Sequence, residues 1–365
     1  MGIYFGWDIG GVHLKLSRLA CNDDGGEVRT FVVPFEIWKD PGGLAARLAA
    51  LLREARAGEG AGREPAAHGV TMTAELADAF PSRTEGVRAI LAACSESLAG
   101  APIRVLDAEG ALLPVEAARE RPMAVAAANW RATAAVAARV LGATAAVLID
   151  VGSTTTDIIP IRDGTPCPAG RTDSERLASG ELVYSGLLRT PPASFASSVP
   201  LSGRWCRVAA EHFAITADIY RVLERIGAAA YTVPTPDGRG KGREEAAARV
   251  ARLVCAEVRD LGPRAVKTIA AYLEDRQVDQ LVRALWQVLS RLPDPAEPRA
   301  IVAGAGAFLA EVAAGRAGLR SIPLQRLLPW LAGEAWAVAA PSAALALLLA
   351  EEAGESVLRL APAGA

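Results

Sequence analysis

Apolar and polar residues alternate over the first twenty positions, with Ile3-Tyr4-Phe5-Gly6-Trp7 before Gly10-Gly11 and Leu14-Lys15-Leu16 after it, which predicts a β-hairpin. A third strand is expected over Val28 to Phe35. Leu44, Leu48, Leu51 and Leu52 then recur at helical spacing within Gly42 to Arg56. Gly69 to Thr73 reads as a short buried strand, Thr84 to Leu98 as a helix, and Ile103 to Leu106 as a strand. Ala124 to Leu141 reads as an Ala-rich helix. This series predicts one α/β lobe over residues 1–142.

The pattern then restarts. Ala145 to Val151 is a continuous apolar run, and Thr155 to Ile161 leads away from a turn at Gly152-Ser153, so a second hairpin opens a second lobe over 143–365. A polar, Pro-rich passage follows over Arg162 to Arg204. Helices are expected over Val208 to Ile226, Glu244 to Leu261 and Pro263 to Leu292, forming an insertion over about 165–297. Pro234 to Arg243 is a Gly/Arg loop, and Pro293 to Pro298 a breaker. Ala300 to Ala303 reads as a last buried strand, followed by Gly304-Ala305-Gly306 and a helix. A closing helix is expected over Ser342 to Glu352, with Ser342 as its N-cap.

Composition narrows the class. The 365 residues are 51% hydrophobic with net charge −2, which describes a globular chain without the electrostatic footprint of a nucleic-acid binder. Five scattered cysteines with no CxxC exclude a disulfide framework and a zinc knuckle. No basic stretch and apolar run open the sequence, and the longest apolar run, about Ala335 to Ala350, is interrupted by Pro341. These features predict a cytoplasmic protein with no membrane partner. Oligomeric state stays open, a homo-oligomer included.

The central feature is an internal repeat. Trp7-Asp8-Ile9-Gly10-Gly11 and Ile149-Asp150-Val151-Gly152-Ser153 each set an Asp at the end of an apolar strand, then a β-branched residue, then Gly. A Gly turn lets backbone N–H groups approach phosphate oxygens. A strand-end carboxylate suits Mg²⁺, which takes one or two carboxylates plus phosphate oxygens. Asp8 and Asp150 are therefore the candidate metal residues, with Gly10, Gly11, Gly152, Ser153, Thr154 and Thr155 as phosphate binders. A single Asp-x-Gly is usually only a hairpin; two copies one domain apart are far more specific.

The repeat and the later Gly304-Ala305-Gly306 resemble the actin, sugar-kinase and chaperone ATPase superfold, two RNase H-like lobes with a cleft between them. Ile149–Asp157 is similar to the DVGGTTTD signature of the hydantoinase/oxoprolinase family, with Ser153 in place of its second Gly. Narrower segments, Thr71-Met72-Thr73-Ala74-Glu75-Leu76, Ala128-Asn129-Trp130, Ser179–Gly186, Leu188-Arg189-Thr190-Pro191 and Glu211–Tyr220, are similar to a compact hydantoinase-like family linked to tetrahydromethanopterin one-carbon metabolism. Members in methanofuran biosynthesis, and relatives in methylofuran biosynthesis, are furfuryl–tyramine ether synthases. The resemblance implies a transferase that joins an aminomethyl-furanmethanol diphosphate to the phenol of tyramine or glutamyl-tyramine and releases pyrophosphate. Its partners would be that furan diphosphate and a tyramine-type amine.

The resemblance also implies phosphate contacts from Lys15 and Arg189, and adds Gly304 and Gly306, where the superfold takes up adenosine. Candidates for the base that removes the phenol proton are Glu75, Asp157, Glu181 and Asp218. Each also has a bland reading: Glu75 as a helix cap, Asp157 as a turn carboxylate, Glu181 as a solvated loop residue, Asp218 as a partner of Arg221. The loop carrying Arg239, Lys241 and Arg243 reads as a solvated loop, or more sharply as a lid. Mg²⁺ is the expected cofactor, with ATP as the alternative. The wider family implies an ATP-dependent hydrolase of cyclic amides as the competing function, and a non-catalytic nucleotide switch is a third.

Overall fold

A computed structural model describes residues 2–22, 26–57, 64–98, 100–142, 145–292, 299–328 and 334–358. The first hairpin forms as expected: β1 (Ile3–Ile9) pairs antiparallel with β2 (His13–Ala20), and β2 with β3 (Glu27–Pro34). Parallel strand β4 (Ala67–Met72) lies on the other side of β1, followed by β5 (Ile103–Leu106) and β6 (Leu112–Pro114). The sheet order is β3-β2-β1-β4-β5-β6. Every residue of β1 is buried, so Ile3–Trp7 departs from the expected alternation and is apolar on both faces.

Helices α1 (Leu44–Arg56) and α2 (Arg83–Ser97) cover one face, where Leu44, Leu48, Val87 and Ile90 pack with Trp7, Ile9 and Val70. The Ala-rich stretch expected as one helix breaks at Ala126–Ala128, and α3 runs over Asn129–Leu141. Ala127 in that break has φ of 50°. Those three backbone-bent residues end one helix and start the next, a tertiary demand that Ala propensity does not announce.

The second sheet contains β7 (Ala146–Val151), β8 (Thr156–Arg162), β9 (Thr165–Pro166) and β10 (Leu182–Val183). After a separate hairpin of β11 (Ser198–Leu201) and β12 (Arg204–Arg207) it takes up β13 (Arg299–Ala303) and β14 (Arg320–Pro323). Its order, β10-β8-β7-β13-β14, repeats the third-second-first-fourth-fifth order of the first sheet. Two sheets with this order are RNase H-like, and their tandem duplication in one α/β chain is the actin-like ATPase fold. Sequence pattern missed β10 and β14 because two and four residues carry no readable period.

The expected helix over Val208 to Ile226 reduces to α4 (Thr216–Val222). It is followed by α5 (Arg243–Arg252), α6 (Pro263–Leu289) and α7 (Ala307–Arg316). The breaker at 293–298 lies outside the described residues. The closing helix α8 (Glu334–Glu352) starts earlier than expected, so Ser342 is not its N-cap. Ala339 leaves helical φ/ψ and kinks the helix, and the Ser342 hydroxyl donates to the Ala339 carbonyl and also meets Ser17 Oγ at 2.8 Å. No helix among the described residues is long and apolar enough to cross a membrane.

By contact the chain forms two compact units. One holds Met1–Leu148, Ile159–Arg176 and Ile322–Ala365; the other holds Ile149–Ile158 and Leu177–Ser321. Within the first, α8 lies on the second face of the first sheet, against β1 and β4. Two strand glycines make this approach possible: a Cβ on Gly6 would overlap the Ser342 carbonyl, and one on Gly69 would press on Leu345 and Leu349.

His68 sits inside this unit, fully buried, stacked on Phe5 and accepting a hydrogen bond at Nδ1 from Trp7 Nε1 at 3.2 Å. Burial, with a smaller push from Arg56, lowers its pKa from 6.5 to about 4. Protonating Nδ1 would break the Trp7 bond and bury a charge. Because the folded pKa lies below the unfolded one, this contribution is complete above pH 6.5 and is lost as pH falls toward 4, about 3 kcal/mol in all. Urea unfolding of wild type and His68→Gln at pH 7 and pH 4.5 isolates it. The wild type should lose more stability than the variant between the two; equal losses would exclude the titration.

Candidate functional site

The two turns close identically. Gly10 N–H donates to the His13 carbonyl at 3.1 Å, and Gly152 N–H donates to the Thr155 carbonyl at 2.9 Å. Neither glycine, nor Gly11, has positive φ. Glycine is favoured at 10 and 152 by proximity instead: an added Cβ would lie 3.0 Å from the His13 carbonyl oxygen or 3.3 Å from that of Thr155. At Gly11 a Cβ would meet nothing within 4 Å, so the serine at the matching position 153 needs no change in the turn.

In the first unit Asp8 ends β1 and is buried. Its Oδ2 accepts from Lys15 Nζ at 2.9 Å, across the hairpin in register, so the lysine expected to meet phosphate pairs here with the aspartate beside it. Asp8 Oδ1 is buried and has no hydrogen-bond partner among the described residues. That orphaned oxygen tests the expectation of a cation: an unpaired buried carboxylate oxygen is costly, and a hydrated Mg²⁺ is a ligand whose charge would satisfy it. The unpartnered oxygen is compatible with such an ion, and Asp8 is the residue that would hold it. The described residues contain no group of three His, Cys, Asp or Glu side chains arranged for a metal, so waters or phosphate oxygens would complete the shell.

Glu75 follows β4 in a single 3-10 turn, Ala74–Leu76. It is buried, and its Oε1 accepts from Arg83 Nη2 at 2.9 Å. Arg83 also reaches Asp173 at 3.4 Å. Glu75 Oε2 is buried with no partner among the described residues. Burial raises the Glu75 pKa, with Arg83 pulling the other way. The first turn of α2 packs on this carboxylate's own backbone, where a Cβ at Gly86 would come 2.5 Å from the Glu75 carbonyl. A desolvated carboxylate with one unpartnered oxygen and a raised pKa is a candidate for general-base work.

In the second unit Asp150 ends β7 and is nearly buried. Gly304 and Gly306 lie directly against it: Gly306 N–H donates to the Val151 carbonyl at 2.9 Å. Gly304 has φ of 85°, and a Cβ there would collide with Asp150 Oδ1 and the Val151 carbonyl. Gly304→Ala is expected to cost about 2–4 kcal/mol, whereas Gly11→Ala should stay within about 0.5 kcal/mol. Chemical denaturation of both variants checks the contrast; equal losses would contradict the close-approach assignment.

The segment after β10 straps the second turn. Leu187 N–H donates to the Gly152 carbonyl, and Leu188 and Arg189 N–H groups donate to the Ser153 carbonyl, at 2.9 to 3.1 Å. Gly186 rests on Ser153 and Thr154 so closely that a Cβ would come 2.6 Å from Thr154 backbone. Gln277 of α6 donates to Ser185 Oγ and the Gly186 carbonyl, and Thr216 Oγ1 donates to the same carbonyl. Thr154 and Thr155 are half-buried in the turn, and Ser153 Oγ is buried without a partner among the described residues. The Thr156 hydroxyl donates to the Ser185 carbonyl at 2.6 Å. The Arg189 side chain is exposed.

The remaining candidates separate by their partners. Asp157 is half-buried on β8, opposite Leu182 of β10. Glu181 is fully buried, not a solvated loop residue, and its Oε1 accepts from Arg291 Nη2 at 2.7 Å. Asp218 pairs not with Arg221 but with Arg249, both fully buried, at 2.8 Å. It also accepts from Tyr231 OH and from the Ile215 N–H at the start of α4. Arg249 reaches Asp237 and the Gly240 carbonyl, while Arg221 donates to the Lys241 carbonyl, so the basic loop is tethered to its neighbours.

The duplicated sheets and Asp-led turns define a member of the actin-like ATPase superfold. The solved nucleotide-free acetone carboxylase shares the fold at a TM-score of 0.55 and 12% identity, over 94% of this chain and 70% of that one. The sequence pattern of the hydantoinase/oxoprolinase family matches residues 66–352, so the chain belongs to that family. It is 41% identical over 188 residues to (4-{4-[2-(gamma-L-glutamylamino)ethyl]phenoxymethyl}furan-2-yl)methanamine synthase of Methanocaldococcus jannaschii, covering 52% of this chain and 56% of that protein. The Methanococcus vannielii protein of the same name is 39% identical over 115 residues, covering 32% and 51% respectively. The chain thus spans about half the length of the curated relatives it matches.

Proposed function

We propose that this protein is a transferase of methanofuran-type cofactor synthesis, forming an ether between a furfuryl diphosphate and a tyramine-type phenol. The observation that carries the chemistry is Glu75: a buried carboxylate with one oxygen tied to Arg83 and the other unpartnered, its pKa raised by burial. The names of the two relatives supply the substrate class, a glutamylated tyramine joined through its phenol oxygen to a furan-methanamine.

In this reading the furfuryl carbon–oxygen bond breaks, and its electron pair leaves with pyrophosphate. The phenol oxygen forms the new bond to that carbon, and its proton passes to Glu75 Oε2. Arg83 holds Oε1 and so orients the free oxygen. The Asp8 turn is the proposed cradle for the diphosphate; the Asp150 turn, with Arg189 as an exposed cation on its strap, is a second turn of the same build. Mg²⁺, when bound, would neutralise charge on the leaving group.

The test is incubation of purified protein with a furfuryl diphosphate and tyramine or glutamyl-tyramine, following ether by mass spectrometry and pyrophosphate release together. Both products should require both substrates. No ether under any divalent ion would end this reading. ATP turnover stimulated by a hydantoin or 5-oxoproline would favour the hydrolase of cyclic amides, to which family membership and the close Gly304–Asp150 approach lend support.

Glu75→Gln is expected to slow ether formation about 10²–10⁴-fold. In wild type, activity should fall on the acidic side as the base protonates, at a pH above the ordinary Glu range because the Glu75 pKa is raised. The same sign makes the ionised carboxylate a burden on folding as pH rises through that pKa, so the glutamine variant should keep the wild-type melting temperature at pH 7. A wild-type rate in the variant would remove Glu75 from the mechanism.

A further inference from the structure

Thr71 stands next to Asp8. The two are partners in the parallel register of β1 and β4, about 4.8 Å apart across the strands, with side chains on the same face. Thr71 is fully buried, and its Oγ1 has no hydrogen-bond partner among the described residues. Asp8 Oδ1 is in the same state, while Oδ2 is held by Lys15. A hydroxyl donor and a carboxylate acceptor thus sit side by side without bonding to each other.

The packing of this face does not ask for a hydroxyl. Two residues back along each strand, Gly6 and Gly69 lie under α8, which seals them with Ser342, Leu345 and Leu349. The helix kinks at Ala339, three residues before Ser342. At position 71 of a buried β-strand, valine would fit the volume and the β preference without burying an unpaired polar atom.

We propose that the Thr71 hydroxyl is a further ligand-positioning group of the phosphate site, acting with Asp8 Oδ1 to hold one water of a hydrated divalent cation bound with pyrophosphate. This rests on the reading that the Asp8 turn takes a metal diphosphate. Mg²⁺ keeps several of its waters and is held through one or two carboxylates. A carboxylate oxygen and a neighbouring hydroxyl give one such water an acceptor and a second polar contact. Lys15 pairs with Oδ2, which leaves Oδ1 as the carboxylate oxygen without a partner among the described residues.

The test compares wild type, Thr71→Val and Thr71→Ser. Calorimetric titration with inorganic pyrophosphate is run with excess Mg²⁺ and again with EDTA, beside thermal melting without ligand. Thr71→Val should weaken binding about tenfold in Mg²⁺ and leave binding in EDTA unchanged. Its ligand-free melting temperature should equal or exceed that of wild type, because a buried orphan hydroxyl has been removed. Thr71→Ser, which keeps the hydroxyl, should bind within about threefold of wild type. Equal Mg²⁺-dependent binding in Thr71→Val, or a lowered melting temperature with serine as well as valine, would overturn the proposal. If wild type binds no Mg²⁺-pyrophosphate, the metal-diphosphate reading and this proposal fall together. If binding behaves as expected but no ether forms, only the transferase reading falls.

Discussion

If the protein is the transferase proposed above, Asp8→Asn should lower ether formation about 10²–10³-fold while the protein still folds. The asymmetry follows from the two oxygens of this carboxylate. Oδ2 is paired with Lys15, which is part-exposed and can be hydrated when the negative charge is removed, so the cost to folding is small, about 1 kcal/mol. Oδ1 is buried and has no partner among the described residues, so the folded chain does not depend on it. Under the proposed function, what is lost is charge aimed at the ligand. Initial rates at saturating Mg²⁺, set beside melting temperatures, check both halves. A variant with wild-type turnover would exclude the cation role of Asp8. A variant that unfolds would mean the Asp8–Lys15 pair is chiefly structural.

The second large effect is on stability. Arg249→Met should cost about 3–5 kcal/mol, because Asp218 would then be left fully buried without its cation. Arg249 also holds Asp237 and the Gly240 carbonyl, so the loop before α5 should loosen in the same variant. Asp218 retains the Tyr231 hydroxyl and Ile215 N–H, which satisfy hydrogen bonding but not charge. The double variant Arg249→Met with Asp218→Asn should recover a substantial part of the loss, since no buried charge remains. Urea unfolding of the single and double variants reads this directly. A loss under about 1 kcal/mol in the single variant would show that the pair is solvated in solution.

These two sites illustrate what residue pattern conveys and what it cannot. Asp8 was legible because it ends a buried strand and is repeated at Asp150 in the same local frame. Asp218 was legible as a carboxylate on a helix but not as a structural one, since its partner Arg249 lies 31 residues away on another helix. Glu181 is the same case, with Arg291 110 residues away. Spacing along a chain cannot assign such partners, because only folding brings them within 3 Å. Thr71 lay within a segment already singled out, yet its register with Asp8 depends on β4 pairing parallel to β1. A strand-end hydroxyl beside a strand-end carboxylate is visible only once that pairing is known.

The sequence alone determined the two hairpins, the order of the main strands and the duplicated turn. Each depends on contacts between near neighbours: apolar runs that must be buried, and an i→i+3 hydrogen bond at Gly10 and at Gly152. Tertiary structure alone decided the rest. It recruited β10, two residues long, into the second sheet, and seated α8 on glycines more than 270 residues earlier in the chain. It also decided which carboxylates are spent on arginines and which keep an oxygen free. Desolvation makes that difference, because a buried carboxylate oxygen without a partner is costly, and Glu75 keeps one oxygen with no partner among the described residues.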